Sequence, residues 1–240
     1  MMKSCLISIL VSLASFTTAW GQASGTQVTE TDSTLTLRNS KVRVEFPKGE
    51  AFDISKLTLN GKELVLSKGY NTVPWTLTYK GPQGENPVLF PSHGEYAGWA
   101  KTTKDGHVAI AFKWNMRLTY QDLVPVVMTV SLPGDSELAY WDIQAGTPDG
   151  WLVSNTQFPR ITVTRPDKAK LITSAGWGAE YNLSNPQVYT SSYPSVTGSM
   201  QLLLLHNPDG SVYYATEDRE ACGKDFRAAV GDKSVTLLTD

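Results

Sequence analysis

Apolar and polar residues alternate with a period of two along this chain from about residue 28 to its end, the mark of strands that bury one face. Val42, Val44 and Phe46 share one side of residues 41–46, and residues 75–79 alternate in the same way from Trp75 to Tyr79. Turn residues punctuate the strands. Asn60-Gly61 separates 54–59 from 63–66, and Asp105-Gly106 separates 98–103 from 107–114. Both dipeptides suit the positive φ of a two-residue hairpin turn. Further strands are predicted at 35–37, 117–120, 124–132, 138–145, 151–158, 160–164 and 170–173, with Pro133-Gly134-Asp135 turning the chain between two of them. Two more hairpins follow, 200–206 with 211–216 around Asn207-Pro208-Asp209-Gly210, and 226–230 with 234–238 across Gly231-Asp232. No window of helical length carries a 3.6-residue period. One short turn is expected at 219–223, capped by Asp218 and stopped by Gly223.

Such a series predicts an all-β fold, a large two-sheet antiparallel β-sandwich of at least about twelve strands. Neither an internal repeat nor a linker divides it, so residues 22–240 read as one domain. The chain ends in or just after a strand with nothing like a finishing cap, which points to an N-terminal piece of a longer polypeptide.

Residues 1–21 stand apart. Lys3 is their only charge, residues 5–16 form an apolar run too short to span a bilayer, and small residues follow. This is the build of a secretory signal peptide, cleaved after Gly21 or, as the second choice, after Ala23. It predicts a secreted or periplasmic protein with no membrane attachment once the leader is gone. Cleavage removes Cys5 and leaves Cys222 as a lone thiol, read as a partly buried small residue. A core of more than 200 residues needs no disulfide. Formal charge is −2, and the sequence holds no Lys/Arg block, which argues against a nucleic-acid partner.

Candidate chemistry is sparse. His93, His107 and His206 show no metal-ligand spacing; His107 is expected in solvent after a turn, and His206 at a core edge. His93, in Pro91-Ser92-His93-Gly94-Glu95-Tyr96, is the strongest of the three. Asp142 alternates with Trp141 and Ile143 and is expected to face solvent. Glu217-Asp218 lies at a strand end, where sites are often placed, although a capping Asp218 and a solvated Glu217 explain the pair equally. No nucleophile-elbow motif and no phosphate-binding glycine loop occur. No catalytic residue, cofactor or metal is assigned. The aromatic-rich stretch 174–199 draws most interest. It sets Trp177 between Gly176 and Gly178, and adds Tyr181, Tyr189 and Tyr193 with the amides of Asn182, Asn185 and Gln187. Rings that stack on a sugar face, with amides bonding its hydroxyls, are the common means of carbohydrate recognition. A long crossover packed onto the sandwich by its own rings explains the same residues.

Several short motifs, in order, resemble one group of bacterial proteins. They are Gly176-Trp177-Gly178, Tyr193-Pro194-Ser195, Ser199-Met200-Gln201, Val212-Tyr213-Tyr214-Ala215-Thr216-Glu217-Asp218 and Lys224-Asp225-Phe226. Asn39 to Phe46, Pro74 to Leu77, Val130 to Pro133 and Phe158 to Ile161 look similar as well. The group consists of glycoside-hydrolase-like proteins in which a galactose-mutarotase-like β-supersandwich precedes a (β/α)8 barrel. The resemblance covers nearly the whole chain after the leader. It implies a supersandwich, a carbohydrate context, and a catalytic barrel that lies beyond this chain. One departure is clear: Glu217-Asp218 stands where the group would carry His-Asp.

The leading expectation is therefore an exported, non-catalytic N-terminal module of a glycoside hydrolase, with an oligo- or polysaccharide and a C-terminal barrel as partners. The alternatives are a free-standing carbohydrate-binding protein and a mutarotase- or epimerase-like enzyme. Trp177, Tyr181, Tyr193, Glu217 and Asp218 are the expected sugar contacts. Trp177→Ala separates the two readings of the aromatic stretch. A stacking role predicts a loss of affinity of tenfold or less, on the order of 1 kcal/mol, at an unchanged melting temperature. A packing role predicts a loss of about 3–5 kcal/mol of stability with no specific binding defect.

Overall fold

The structure is a computed structural model and describes residues 9–12, 25–48, 56–64, 73–120, 122–175, 178–195, 198–208 and 210–240. In chain order its strands are β1 (Ile9–Ser12), β2 (Gln27–Glu30), β3 (Thr34–Arg38), β4 (Val42–Pro47), β5 (Lys56–Leu59), β6 (Lys62–Leu64) and β7 (Thr76–Lys80). There follow β8 (Val88–Leu89), β9 (Gly94–Lys104), β10 (His107–Arg117), β11 (Leu123–Leu132), β12 (Ala139–Ala145), β13 (Leu152–Gln157) and β14 (Ile161–Thr164). The last are β15 (Lys170–Thr173), β16 (Ala179–Asn182), β17 (Gln187–Tyr193), β18 (Leu202–Asn207), β19 (Gly210–Thr216), β20 (Lys224–Val230) and β21 (Ser234–Thr239). The strand pairs are antiparallel. The helical content of the described residues is a single 3-10 turn at Pro91–His93. The chain is all-β, as the alternation predicts.

The expected hairpins form where the turn residues place them. Asn60 and Gly61 adopt φ of 45° and 78° between β5 and β6, and Asp105 and Gly106 adopt 50° and 81° between β9 and β10. Both residues of each turn are left-handed, which matches the twist of the flanking strands. The 219–223 turn forms without becoming helical. Asp218 caps it as expected, but the left-handed residue is Ala221, with φ of 52°, rather than Gly223.

One layer is a nine-stranded sheet in the order β16-β15-β18-β19-β1-β12-β11-β10-β9. Three smaller sheets make the other layer: β2-β3-β4-β5-β6, β13-β7-β8 and β14-β21-β20-β17. Each sends a large ring into the nine-stranded sheet. Phe46 of β4 lies 4.8 Å from Phe112 and 6.2 Å from Trp141, centroid to centroid. Trp75, just before β7, meets Trp114 edge-on at 5.5 Å, and Phe226 of β20 meets Tyr214 edge-on at 6.4 Å. These rings belong to one continuous buried cluster. The second layer is thus divided, whereas alternation alone suggests one sheet; pattern fixes which face is buried but not which strands share hydrogen bonds.

The 174–199 stretch also differs from expectation. It is a crossover that contributes an edge strand to each layer, β16 to the large sheet and β17 to the β20 sheet. Its alternation is hidden by Gly, Asn, Ser and Pro, whose β-propensity is low. A further departure concerns the segment read as a leader: the backbone of Ile9–Ser12 pairs as β1 in the middle of the nine-stranded sheet.

Phe46 has no exposed surface and bridges the two layers. Phe46→Ala therefore lowers unfolding free energy by about 3–5 kcal/mol, while Val188→Ala, on an exposed residue of β17, changes it by about 0.5 kcal/mol or less. Urea titration of both variants checks the pair; similar midpoints would contradict this packing.

Candidate functional site

The two faces of the nine-stranded sheet differ in side-chain size. Inward positions carry Phe112, Trp114, Met128, Trp141 and Tyr214, all buried. The outward face is small at its centre. Ala109, Ser131 and Tyr140 are successive cross-strand partners on β10, β11 and β12 and so share that face. Ala111, Thr129 and Asp142 form the next row. Alanine and serine fill little space, so the surface sinks there. A cavity of about 370 Å3 opens beside Ser131. Its walls are Lys104, Asp105 and His107 of the β9–β10 hairpin, Tyr140 and Asp142 of β12, and Glu217 and Arg219 of the turn after β19.

Asp142 is the polar centre of this groove. Only 5 % of it is exposed, although it points away from the core. Strand alternation places it outward as expected; the groove walls, not solvent, surround it. Its Oδ2 lies 2.8 Å from Lys104 Nζ, and this contact holds the Lys104 ammonium above its ordinary pKa despite partial burial. Its Oδ1 has no hydrogen-bond partner among the described residues. A buried carboxylate oxygen without a donor is costly, and a ligand hydroxyl or a water satisfies it.

Beside it, the His107 ring stacks on Tyr140 at 6.2 Å with 13° between planes. His107 is thus half-buried against an aromatic wall rather than free in solvent. Burial pushes the hydroxyls of Tyr140 and Tyr213 up in pKa, and the Glu217 carboxylate adds to both shifts. The groove offers a flat ring pair, acceptors at Asp142 and Glu217, and cationic donors at Lys104 and Arg219.

The five expected sugar contacts do not converge. Glu217 lines the groove. Asp218, the next residue, turns inward. Its Oδ1 accepts from Glu220 N at 2.9 Å and its Oδ2 from Cys222 N at 2.6 Å, while Lys224 Nζ lies 2.5 Å from Oδ2. Lys224 also donates to Gln201 Oε1 at 3.0 Å and sits 5.5 Å from the Tyr193 ring centroid. Asp218 and Tyr193 therefore meet through a buried lysine. Tyr181 pairs with Leu171, which also pairs with the buried Leu205, so it faces inward; its ring packs on Tyr189 at 4.8 Å. Tyr181 and Glu217 lie on opposite faces of the sheet. Trp177 lies outside the described residues.

Other residues also shift role. His93 packs against Phe90 with the rings tilted by 41°, at the far end of β9 from the groove, roughly 33 Å away at 3.3 Å per residue. His206 is exposed and bonded through Nδ1 to Ser211 Oγ at 2.8 Å rather than packed at a core edge. Cys222 is half-buried, as expected of it, and its backbone N–H donates to Asp218 Oδ2.

No family model matches the chain. It is related to a protein of Bacteroides thetaiotaomicron named "Putative glycoside hydrolase", with 39 % identity over 234 residues. The match takes in 97 % of this chain and 34 % of the relative, so the chain spans about a third of the relative's length.

The Asp218–Lys224 pair gives a pH prediction. Burial alone would raise the Asp218 carboxyl, but Lys224 and the two backbone N–H groups outweigh it and hold it below the ordinary 3.8. A depressed carboxyl contributes stability that is present above that ordinary value and is lost as pH falls through the folded-state value. Asp218→Asn leaves Lys224 buried without its counter-charge and lowers stability at pH 7 by about 3–5 kcal/mol. Its melting temperature then falls less steeply than the wild type's on acidification below roughly pH 4. Parallel acid profiles would show that the pair contributes nothing to folding.

Proposed function

We propose that this chain is the non-catalytic β-module of an exported glycoside hydrolase, and that its outward groove holds part of the glycan. The observation that carries the reading is the Oδ1 of Asp142, without a partner among the described residues and buried beside the stacked His107–Tyr140 wall. Sugars offer what this site lacks, hydroxyl donors around an apolar face. The name of the Bacteroides relative agrees with a carbohydrate setting.

The groove is better suited to holding a sugar than to cleaving one. Glycoside hydrolysis by the usual route uses two carboxyl groups, one on each side of the scissile bond. Here the charge of Asp142 is matched by Lys104, and Glu217 shares the β19 end with Arg219. Cleavage belongs to a separate catalytic domain, a (β/α)8 barrel by the resemblance above, with the supersandwich bordering its substrate. The leader-like residues 1–21 direct the protein out of the cytoplasm, to the periplasm or beyond.

Tyr140→Ala and Asp142→Asn test this in calorimetric titration of the full-length protein with oligosaccharides. Losing the ring costs on the order of 1 kcal/mol, a five- to tenfold weaker complex. Losing the charged acceptor costs about 1.5–3 kcal/mol. Wild-type affinity in both variants would refute the groove as the glycan site. Release of reducing sugar by residues 1–240 alone would refute the non-catalytic reading.

A further inference from the structure

We infer that the nine-stranded sheet is completed, in the exported protein, by a strand from the polypeptide beyond residue 240, inserted between β12 and β19. The inference rests on the proposal that the chain is one module of a longer exported protein.

The slot is defined by the strand now in it. β1 is antiparallel to both neighbours. Ile9 pairs with Trp141 and Thr216, Leu10 with Tyr140 and Ala215, and Val11 with Ala139 and Tyr214. β12 and β19 therefore run parallel to each other, two strand spacings apart, or roughly 9.6 Å. Each is anchored on its other side. β12 pairs with β11 over six residues, and β19 with β18 over six. Their inward side chains are committed to the second layer: Trp141 packs on Phe46, and Tyr214 donates its hydroxyl to Pro159 O at 2.9 Å. Sliding β12 and β19 together would tear both from these contacts. An empty slot would leave two rows of N–H and C=O groups unpaired in the middle of a sheet, where edges are not tolerated.

The current occupant belongs to a segment built to be removed. Lys3, the apolar run 5–16 and the small residues after it are leader features. Leader cleavage and an intact sheet are compatible only if another strand takes the place of β1.

The following polypeptide is the best-placed donor. Thr239 Oγ1 lies 3.1 Å from Tyr214 Oη, so the β21 end sits directly beneath the slot. The relative has about two-thirds of its length outside the matched region, since 234 residues make up 34 % of it. A strand from such a neighbour is tethered, and its local concentration is high. Its chemistry follows from its neighbours. It runs antiparallel to β12 and β19 and carries apolar residues opposite Trp141 and Tyr214. Its middle residue, flanked by Tyr140 and Ala215, faces outward next to the groove. The incoming strand therefore supplies part of the groove wall, and the site is incomplete without it.

The test places the photo-cross-linker p-benzoylphenylalanine at Tyr213, which pairs with Ser12 at the outward edge of the slot. The full-length protein is exported, irradiated and digested, and cross-linked peptides are identified by mass spectrometry. Hydrogen exchange is followed in parallel at residues 139–145 and 210–216 of the unsubstituted protein. The expected result is a mature N-terminus at Gln22 or Ser24, a cross-link within one molecule to a peptide beyond residue 240, and exchange at both segments as slow as in β10 and β11. A cross-link to retained residues 1–21 would overturn the inference, because β1 would then be a native strand. A cross-link to a second copy would overturn it in favour of strand exchange between molecules. Fast exchange at both segments without a cross-link would show that the slot stays open. A reading frame that stops at residue 240 sinks the module reading itself. A continuing frame with a failed cross-link sinks the strand alone.

Discussion

The constraint on which this structure depends is the strict outward–inward alternation of side chains across β10, β11, β12 and β19. A pleated strand has two faces and no choice about which residue goes to which once register is set. Inward, the alternation delivers Phe112, Trp114, Trp141 and Tyr214 to the rings of three opposing sheets. Outward, the intervening positions are Ala109, Ala111, Ser131 and Ala215, all buried although they point away from the core. The same rule that builds the core thus excavates the groove. A one-residue slip in any of these strands would expose the rings and fill the depression together.

Two lysine–aspartate pairs show how surroundings decide role. Asp218 and Lys224 lie between the layers, and each oxygen of the carboxylate receives a donor. Such a pair is complete in itself and fixes the turn that carries Glu217 and Arg219 to the groove. Asp142 and Lys104 lie on the outer face, and the Oδ1 of Asp142 has no donor among the described residues. The first pair is saturated and the second is not, although their chemistry is the same. The short separation of Glu217 from Asp218 in sequence places them on opposite faces of one strand end, and this explains why only one of them reaches the groove.

Position within the sheet gives β12 and β19 a second importance. The strand slot lies between them and the groove borders it on the β12 side, so what fills the slot also shapes the groove.

The sequence by itself determined the class of fold, because period-two alternation and left-handed turn residues act locally. Asn60-Gly61 and Asp105-Gly106 formed the hairpins that their own backbone preferences dictate, and Asp218 capped the turn that follows it. It also marked Glu217 as a strand-end carboxylate. What only the tertiary structure decided is which strands lie side by side. Asp142, Lys104, His107 and Tyr140 meet through register between four strands, and no local pattern encodes that register. Asp142 read as a solvent-facing residue because alternation tells outward from inward but cannot tell open water from a groove floored by distant alanines. The aromatic stretch drew attention for its composition, yet Tyr181 and Tyr193 pack inward because β16 and β17 each join a different layer. Local preference sets the strands and turns; long-range pairing sets the site.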